Sequence, residues 1–316
     1  MRILANDGIS QSGISALEKA GFEINTTTVA QAQLIAYIKA HKIEVLLVRS
    51  ATQVGKDVID NCPTLKLIGR GGVGMDNIDV KHAQEKGLHV INTPDASSES
   101  VAELVFAHLY GGVRFLYDAN RNMPLDGDSK FKQLKKSYAS GTELRGKTLG
   151  IIGFGKIGRA TAKIALGVGM NVKYHDPTTD NATVDLSFYD GQSISFNLKN
   201  SNKEAVLKES DFITVHVPAQ KEYVIGKKEL ELIKNGAGII NAARGGAIDE
   251  VALVDVLEKG KLSFAGLDVF ESEPNPEIKI LMHPNISLSP HIGAATKEAQ
   301  ERIGLELAQK IIQLLK

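Results

Sequence analysis

The chain has 316 residues, 43% of them apolar and 23% charged, which suits two soluble α/β-sized domains with buried cores. Lys plus Arg total 37, as do Asp plus Glu, so no net field draws the chain to nucleic acid or anionic lipid. The lone cysteine, Cys62, excludes an internal disulfide, and no run reaches the ~18 apolar residues of a membrane helix. A cytoplasmic protein with no nucleic-acid or membrane partner is expected.

In chain order, "RILAND" reads as a strand, and Ser10 to Ala20 as a helix with Ile14 and Leu17 on one face. "EINTTT" is a weaker strand, followed by a helix around "QAQLIAYIKAH". "EVLLVRS", "LKLIGRG" and "GLHVINTP" are continuous apolar runs bounded by turns, the pattern of strands buried on both faces of a parallel sheet. One long helix is expected over "SESVAELVFAHLYGGVRFLYDANRN", with Ser97 or Ser98 at its start, and then a polar, Lys-rich stretch. The strand pattern restarts at "TLGIIGFG" and continues through "NVKYHD", "DFITVHVP", "GAGIINAA", "FAGLDVF" and "NISLSP". A last helix, "ATKEAQERIGLELAQKIIQLLK", closes the chain. The alternation predicts two doubly wound parallel-sheet α/β domains. Residues 1–97 with 291–316 form a discontinuous first domain, and 98–290 are inserted into it.

Two glycine fingerprints of the dinucleotide-binding spacing compete. Gly69, Gly71 and Gly74 lie in "LKLIGRGGVGMDNID"; Gly153, Gly155 and Gly158 lie in "TLGIIGFGKIGRATAKIAL". A pyrophosphate needs a helix that starts inside the loop. "RATAKIAL" continues helically from Gly158, whereas "MDNIDVKHA" is turn-rich and delays its helix to about Asp79. Asp176, closing the next strand, meets the requirement for an acid on the ribose hydroxyls, and its charge favours NAD over NADP. The second loop is therefore assigned to NAD. The first is left as either a structural turn or a nest of N–H groups for a small anion.

Arg244, Glu273 and His291 each follow one of the later strands, and ligands meet α/β sheets at the carboxyl ends of their strands. Singly, each has a plain structural explanation. Together they supply an anion clamp, a carboxylate and a proton acceptor, as oxidation of an alcohol requires. His216 in "TVHVP" sits at another strand end and is placed on the cofactor, while His41, His82, His89 and His108 read as structural. No metal-ligand spacing, P-loop or nucleophile elbow is present, and no metal is expected.

"GKTLGIIGFGKIG", "VHVP", "INAARGGAIDE", "GLDVFESEP" and "SPHIGAATKEA" resemble, in order, the signatures of the D-isomer-specific 2-hydroxyacid dehydrogenases. "VRSAT", "GRGGVGMDNID" and "VINTPDASSES" resemble the same family's N-terminal domain. The likeness covers nearly the whole chain. It implies a Rossmann NAD-binding domain inserted into a flavodoxin-like substrate domain. It also implies NAD-linked oxidation, with Arg244 on the substrate and His291 as the acid/base tuned by Glu273. On the cofactor it places Gly153, Gly155, Lys156, Ile157, Gly158, Asp176, His216, Val217, Pro218, Ala242, Ala243 and Asp268, with Val73 from the first domain. On the substrate it places Arg49, Ser50, Gly72, Val73 and Gly74. Arg49 resembles the arginine that meets phosphate in members oxidising 3-phospho-D-glycerate to 3-phosphohydroxypyruvate in serine synthesis. Glyoxylate or hydroxypyruvate reduction is the alternative, and an NAD-sensing corepressor a more distant one. The 98–145 region resembles the family's dimerisation arm, which implies a homodimer. No serine-binding regulatory domain is expected after Lys316. Residues 180–204 match the family poorly and read as an extended strand-loop.

Overall fold

The computed structural model describes residues 1–316, which divide into two compact units. Unit 1 comprises Met1–Ser100 and Ala294–Lys316, and unit 2 comprises Val101–Gly293.

Unit 1 is a five-stranded parallel sheet in the order β2-β1-β3-β4-β5, formed by β1 (Arg2–Ala5), β2 (Glu23–Asn25), β3 (Val45–Val48), β4 (Leu67–Arg70) and β5 (His89–Asn92). This is the flavodoxin-like order. The central strand β3, "VLLV", is buried along its whole length, as its unbroken apolar run requires. The helix Lys297–Leu315 is capped by Thr296, whose hydroxyl accepts from Ala299 N–H at 3.2 Å. It returns to unit 1 and buries Ile303, Leu307 and Ile311 with Ile3, Val45 and Leu67. The strands' carboxyl edge carries the glycine loop after β4.

Unit 2 is a six-stranded parallel sheet with a separate two-stranded ribbon. Its strands are β6 (Thr148–Ile152), β7 (Asn171–His175), β8 (Asn181–Ser187), β9 (Ser193–Lys199), β10 (Phe212–Val215), β11 (Ala237–Asn241), β12 (Leu262–Leu267) and β13 (Ile286–Leu288). The sheet order is β13-β12-β11-β10-β6-β7. The order reverses beside β6, which makes the carboxyl end of β6 the topological switch point where α/β sheets bind ligands. β10 and β11 are buried throughout.

One expectation needs correction and one is refined. The helix predicted over 98–122 is two helices, Ser98–Val113 and Leu116–Asp126, because Phe115 adopts a left-handed φ of 55°. The Gly111–Gly112 pair weakens helix propensity just before that break. The 180–204 stretch, expected as an extended strand-loop, closes on itself as an antiparallel hairpin, β8 on β9, with Ala182 and Val184 buried in the unit 2 core.

Candidate active site

Unit 2 places its ionisable loops by topology. All six strands run parallel, so the loops after β6, β10, β11, β12 and β13 leave the same edge of the sheet. The loop after β6 turns at Gly153, where φ is 92° and a Cβ would lie 2.2 Å from the His216 carbonyl oxygen. A Cβ on Gly158 would lie 2.3 Å from the Gly153 carbonyl oxygen, so the helix Lys156–Gly167 packs this tightly only because both are glycine. At Gly155, the N-cap, a side chain would meet nothing within 4 Å, and no side chain caps the helix. An open, uncapped helix start of this kind fits a pyrophosphate.

Asp176 stands beside that loop. Its carboxylate accepts from Phe154 N–H at 2.7 Å, Thr178 N–H at 2.8 Å and the Thr178 hydroxyl at 2.7 Å. Burial works to raise its pKa, but these bonds outweigh it and hold the group below the usual carboxylate range. Asn200 fixes the backbone here by accepting from Asp176 N–H and donating to its carbonyl. His216 is partly buried: its Nε2 lies 3.3 Å from Thr161 Oγ1 and 3.1 Å from Thr214 Oγ1. Burial pushes its pKa down to about 3 and keeps it neutral. His216 is therefore a brace under the helix that follows the glycine loop.

After β11, Asn241 organises the turn that carries Arg244. Its Oδ1 accepts from Ala243 N–H, its Nδ2 donates to the Arg244 carbonyl, and Arg244 Nη1 donates to the Ala243 carbonyl at 2.6 Å. After β12 and β13, Glu273 and His291 meet: His291 Nδ1 lies 2.9 Å from Glu273 Oε2, while Glu273 Oε1 accepts from Phe270 N–H at 2.9 Å. The imidazole remains 43% exposed, so its other nitrogen is accessible. A base whose far nitrogen is held by a carboxylate can pass one proton in a fixed direction.

Residues 106–293 match the D-isomer specific 2-hydroxyacid dehydrogenase, NAD binding domain family. The chain is 40% identical to a hydroxypyruvate reductase of Thermotoga maritima, over 99% of this chain and 98% of that protein. It is also 40% identical to a D-3-phosphoglycerate dehydrogenase of Methanocaldococcus jannaschii, over 100% of this chain but 58% of that one. A crystal structure of a glyoxylate reductase from Paecilomyes thermophila superposes with a TM-score of 0.82 at 28% identity, covering 99% of this chain and 95% of that one.

The chain belongs to the D-isomer-specific 2-hydroxyacid dehydrogenase family. It is an NAD-dependent oxidoreductase, and the residues of this dehydrogenase that fit the dinucleotide are those of the loop after β6.

Unit 1 of the dehydrogenase holds the other fingerprint. Its helix, Val80–Glu85, starts only after the N-cap Asp79, five residues beyond Gly74, as the turn-rich sequence predicts. The loop's own bonds consume the N–H groups of Gly71 and Gly72, which donate to the carbonyls of Val48 and Arg70. The Gly72 N–H, expected on the substrate, donates to the Arg70 carbonyl at 3.0 Å in this structure. Val73 and Gly74 N–H take no part in those bonds. The Arg49 stem borders this loop, since a Cβ on Gly71 would lie 3.5 Å from Arg49 Cγ. Its backbone is fixed by Asp7, which accepts from Arg49 N–H at 2.6 Å, and by Asn77, which donates to its carbonyl at 2.7 Å.

Asp268, expected on the cofactor, is also bound within unit 2. It is 1% exposed and already accepts from Ser289 Oγ at 2.6 Å, Ile292 N–H at 2.8 Å and Gly293 N–H at 2.8 Å. Nothing in the local sequence marks Asn200 or Asp7 for these roles. Only Asn241 carried a local signal, as an asparagine at a strand end before a turn.

Proposed function

We propose that this dehydrogenase oxidises the C2 hydroxyl of 3-phospho-D-glycerate to give 3-phosphohydroxypyruvate, the first step of serine synthesis. The carrying observation is Arg49: its backbone is clamped beside the glycine loop, and no carboxylate forms an ion pair with its guanidinium. An arginine on an anchored stretch of backbone, with no carboxylate paired to it, suits a phosphate dianion. The N–H groups of Val73 and Gly74 receive the substrate carboxylate, and Ser50 adjoins the phosphate site. In unit 2, Arg244 binds the carboxylate or developing keto oxygen. His291 removes the hydroxyl proton at Nε2, and Glu273 holds its Nδ1–H and balances the imidazolium charge. NAD bound in unit 2 would supply the hydride acceptor for C2. Lys156, Ile157 and Gly158 would hold its pyrophosphate, Asp176 its ribose, and Val217, Pro218, Ala242 and Ala243 would line the rest of its cleft.

A second reading, reduction of hydroxypyruvate or glyoxylate, is favoured by the T. maritima relative, which this chain matches over 98% of its length. By contrast, the chain spans about 58% of the M. jannaschii phosphoglycerate dehydrogenase. The two are separated by assaying phosphorylated and unphosphorylated D-2-hydroxy acids, with hydroxypyruvate and glyoxylate in the reverse direction. Arg49→Ala should raise KM for 3-phosphoglycerate about tenfold or more and that for D-glycerate less than about twofold. Equal effects on both would sink the phosphate assignment. We further infer a homodimer through residues 98–145, where Leu116, Leu125 and Phe131 are exposed at 63%, 76% and 56%.

A further inference from the structure

His108 is a histidine where packing asks for none. It lies on the helix Ser98–Val113, whose Val101, Val105, Phe106 and Leu109 belong to the apolar core of unit 2, and it is 4% exposed. An apolar side chain of similar bulk would fill this space without burying a polar ring. The fold nevertheless makes room for the imidazole. Gly266 on β12 lies against it, and a Cβ there would sit 2.7 Å from His108 Cβ and 3.0 Å from Cγ.

Both ring nitrogens are bonded. Nδ1 lies 2.9 Å from Ser287 Oγ and Nε2 2.9 Å from Ser289 Oγ. The Asp268 carboxylate can only accept, so the Ser289 hydroxyl donates to it at 2.6 Å. Ser289 Oγ must then accept from His108 Nε2–H, which leaves Nδ1 to accept from Ser287. The chain therefore runs one way, from Ser287 through His108 and Ser289 to Asp268. Burial, which pushes the His108 pKa down, keeps the ring in the neutral form this direction needs.

The chain ends on the loop of His291. Asp268 accepts from the N–H groups of Ile292 and Gly293, the two residues after His291. His291 itself has φ 54°, a left-handed conformation that a non-glycine residue keeps only when its surroundings impose it. We propose that His108 is a positioning residue for His291, acting through the Ser289 hydroxyl and the Asp268 carboxylate to hold that strained loop and aim its ring. This rests on the reading of His291 as the acid/base.

The full-length enzyme is assayed with its best substrate from the panel above. His108→Leu should lower kcat about tenfold and change KM by less than about twofold, because aim rather than binding is lost. His108→Gln, which keeps a donor toward Ser289, should retain most of the activity. In a His291→Gln background, His108→Leu should cost nothing further, since its target is gone. Wild-type kcat for His108→Leu, measured well below its melting temperature, would overturn the proposal. So would an equal loss in the His291→Gln background. If His108→Leu does not fold, Ser289→Ala breaks the same chain from β13 and is read by the same measures. Near-wild-type turnover by His291→Gln would overturn the acid/base reading and this inference with it. The other failures leave that reading standing.

Discussion

Two bonds set Glu273 apart from the other acids of its loop. One oxygen accepts from Phe270 N–H and fixes the carboxylate; the other meets His291 Nδ1 at 2.9 Å. Glu273→Gln keeps an acceptor for Phe270 but removes the charge that offsets a protonated imidazole. Its kcat should fall at least about tenfold with KM little changed. Steady-state kinetics showing full activity would reduce Glu273 to a loop brace. The sequence placed Glu273 and His291 at the ends of neighbouring strands, but several acids crowd "ESEPNPE", and only the folded loop selects among them.

At the scale of elements, the strand, glycine loop and helix proposed for the dinucleotide were readable because their evidence is local. A strand, three glycines and an immediate helix start lie within 20 consecutive residues, and the late Asp79 cap disqualifies the rival loop by the same logic. The break at Phe115 was less legible. Helical periodicity continues across it, and two adjacent glycines lower propensity without dictating where the chain turns. The helices Leu116–Asp126 and Phe131–Ser137 that follow bury no residue, yet they display Leu116, Leu125 and Phe131. If this face joins two copies, Leu125→Glu with Phe131→Glu should convert a dimer to a monomer in light scattering while leaving far-UV circular dichroism unchanged. A wild-type chain that is monomeric at micromolar concentration would exclude the interface.

For the whole molecule, the distribution of buried and half-buried histidines predicts an acid-sensitive unit. His108, His216 and His283 all lie in unit 2, and burial depresses the pKa of each, that of His216 to about 3. A depressed pKa means the unfolded chain binds the proton more readily. The associated stability is present above the unfolded value of about 6.5 and drains away as pH falls below it. For His216 the loss continues down to about pH 3. Calorimetry should show the melting temperature level from pH 8 to 7 and falling from about 6.5 downward. Hydrogen exchange at pH 5 should show Val101–Gly293 opening before the rest. A flat profile to pH 5 would contradict this.

By itself the sequence determined the α/β class, the family and its NAD cofactor, and it marked the glycine loop and strand ends proposed for the site. Periodicity, glycine spacing and helix timing act over a few turns of chain and leave a local imprint. Only the tertiary structure decided what His108 touches, since Ser289 lies 181 residues away and meets it through the pairing of β13 with β12. It likewise shows Asp268 accepting from the N–H groups of Ile292 and Gly293 beside His291. A hydrogen bond between distant strands depends on register and depth of burial, and neither residue's own neighbours encode those.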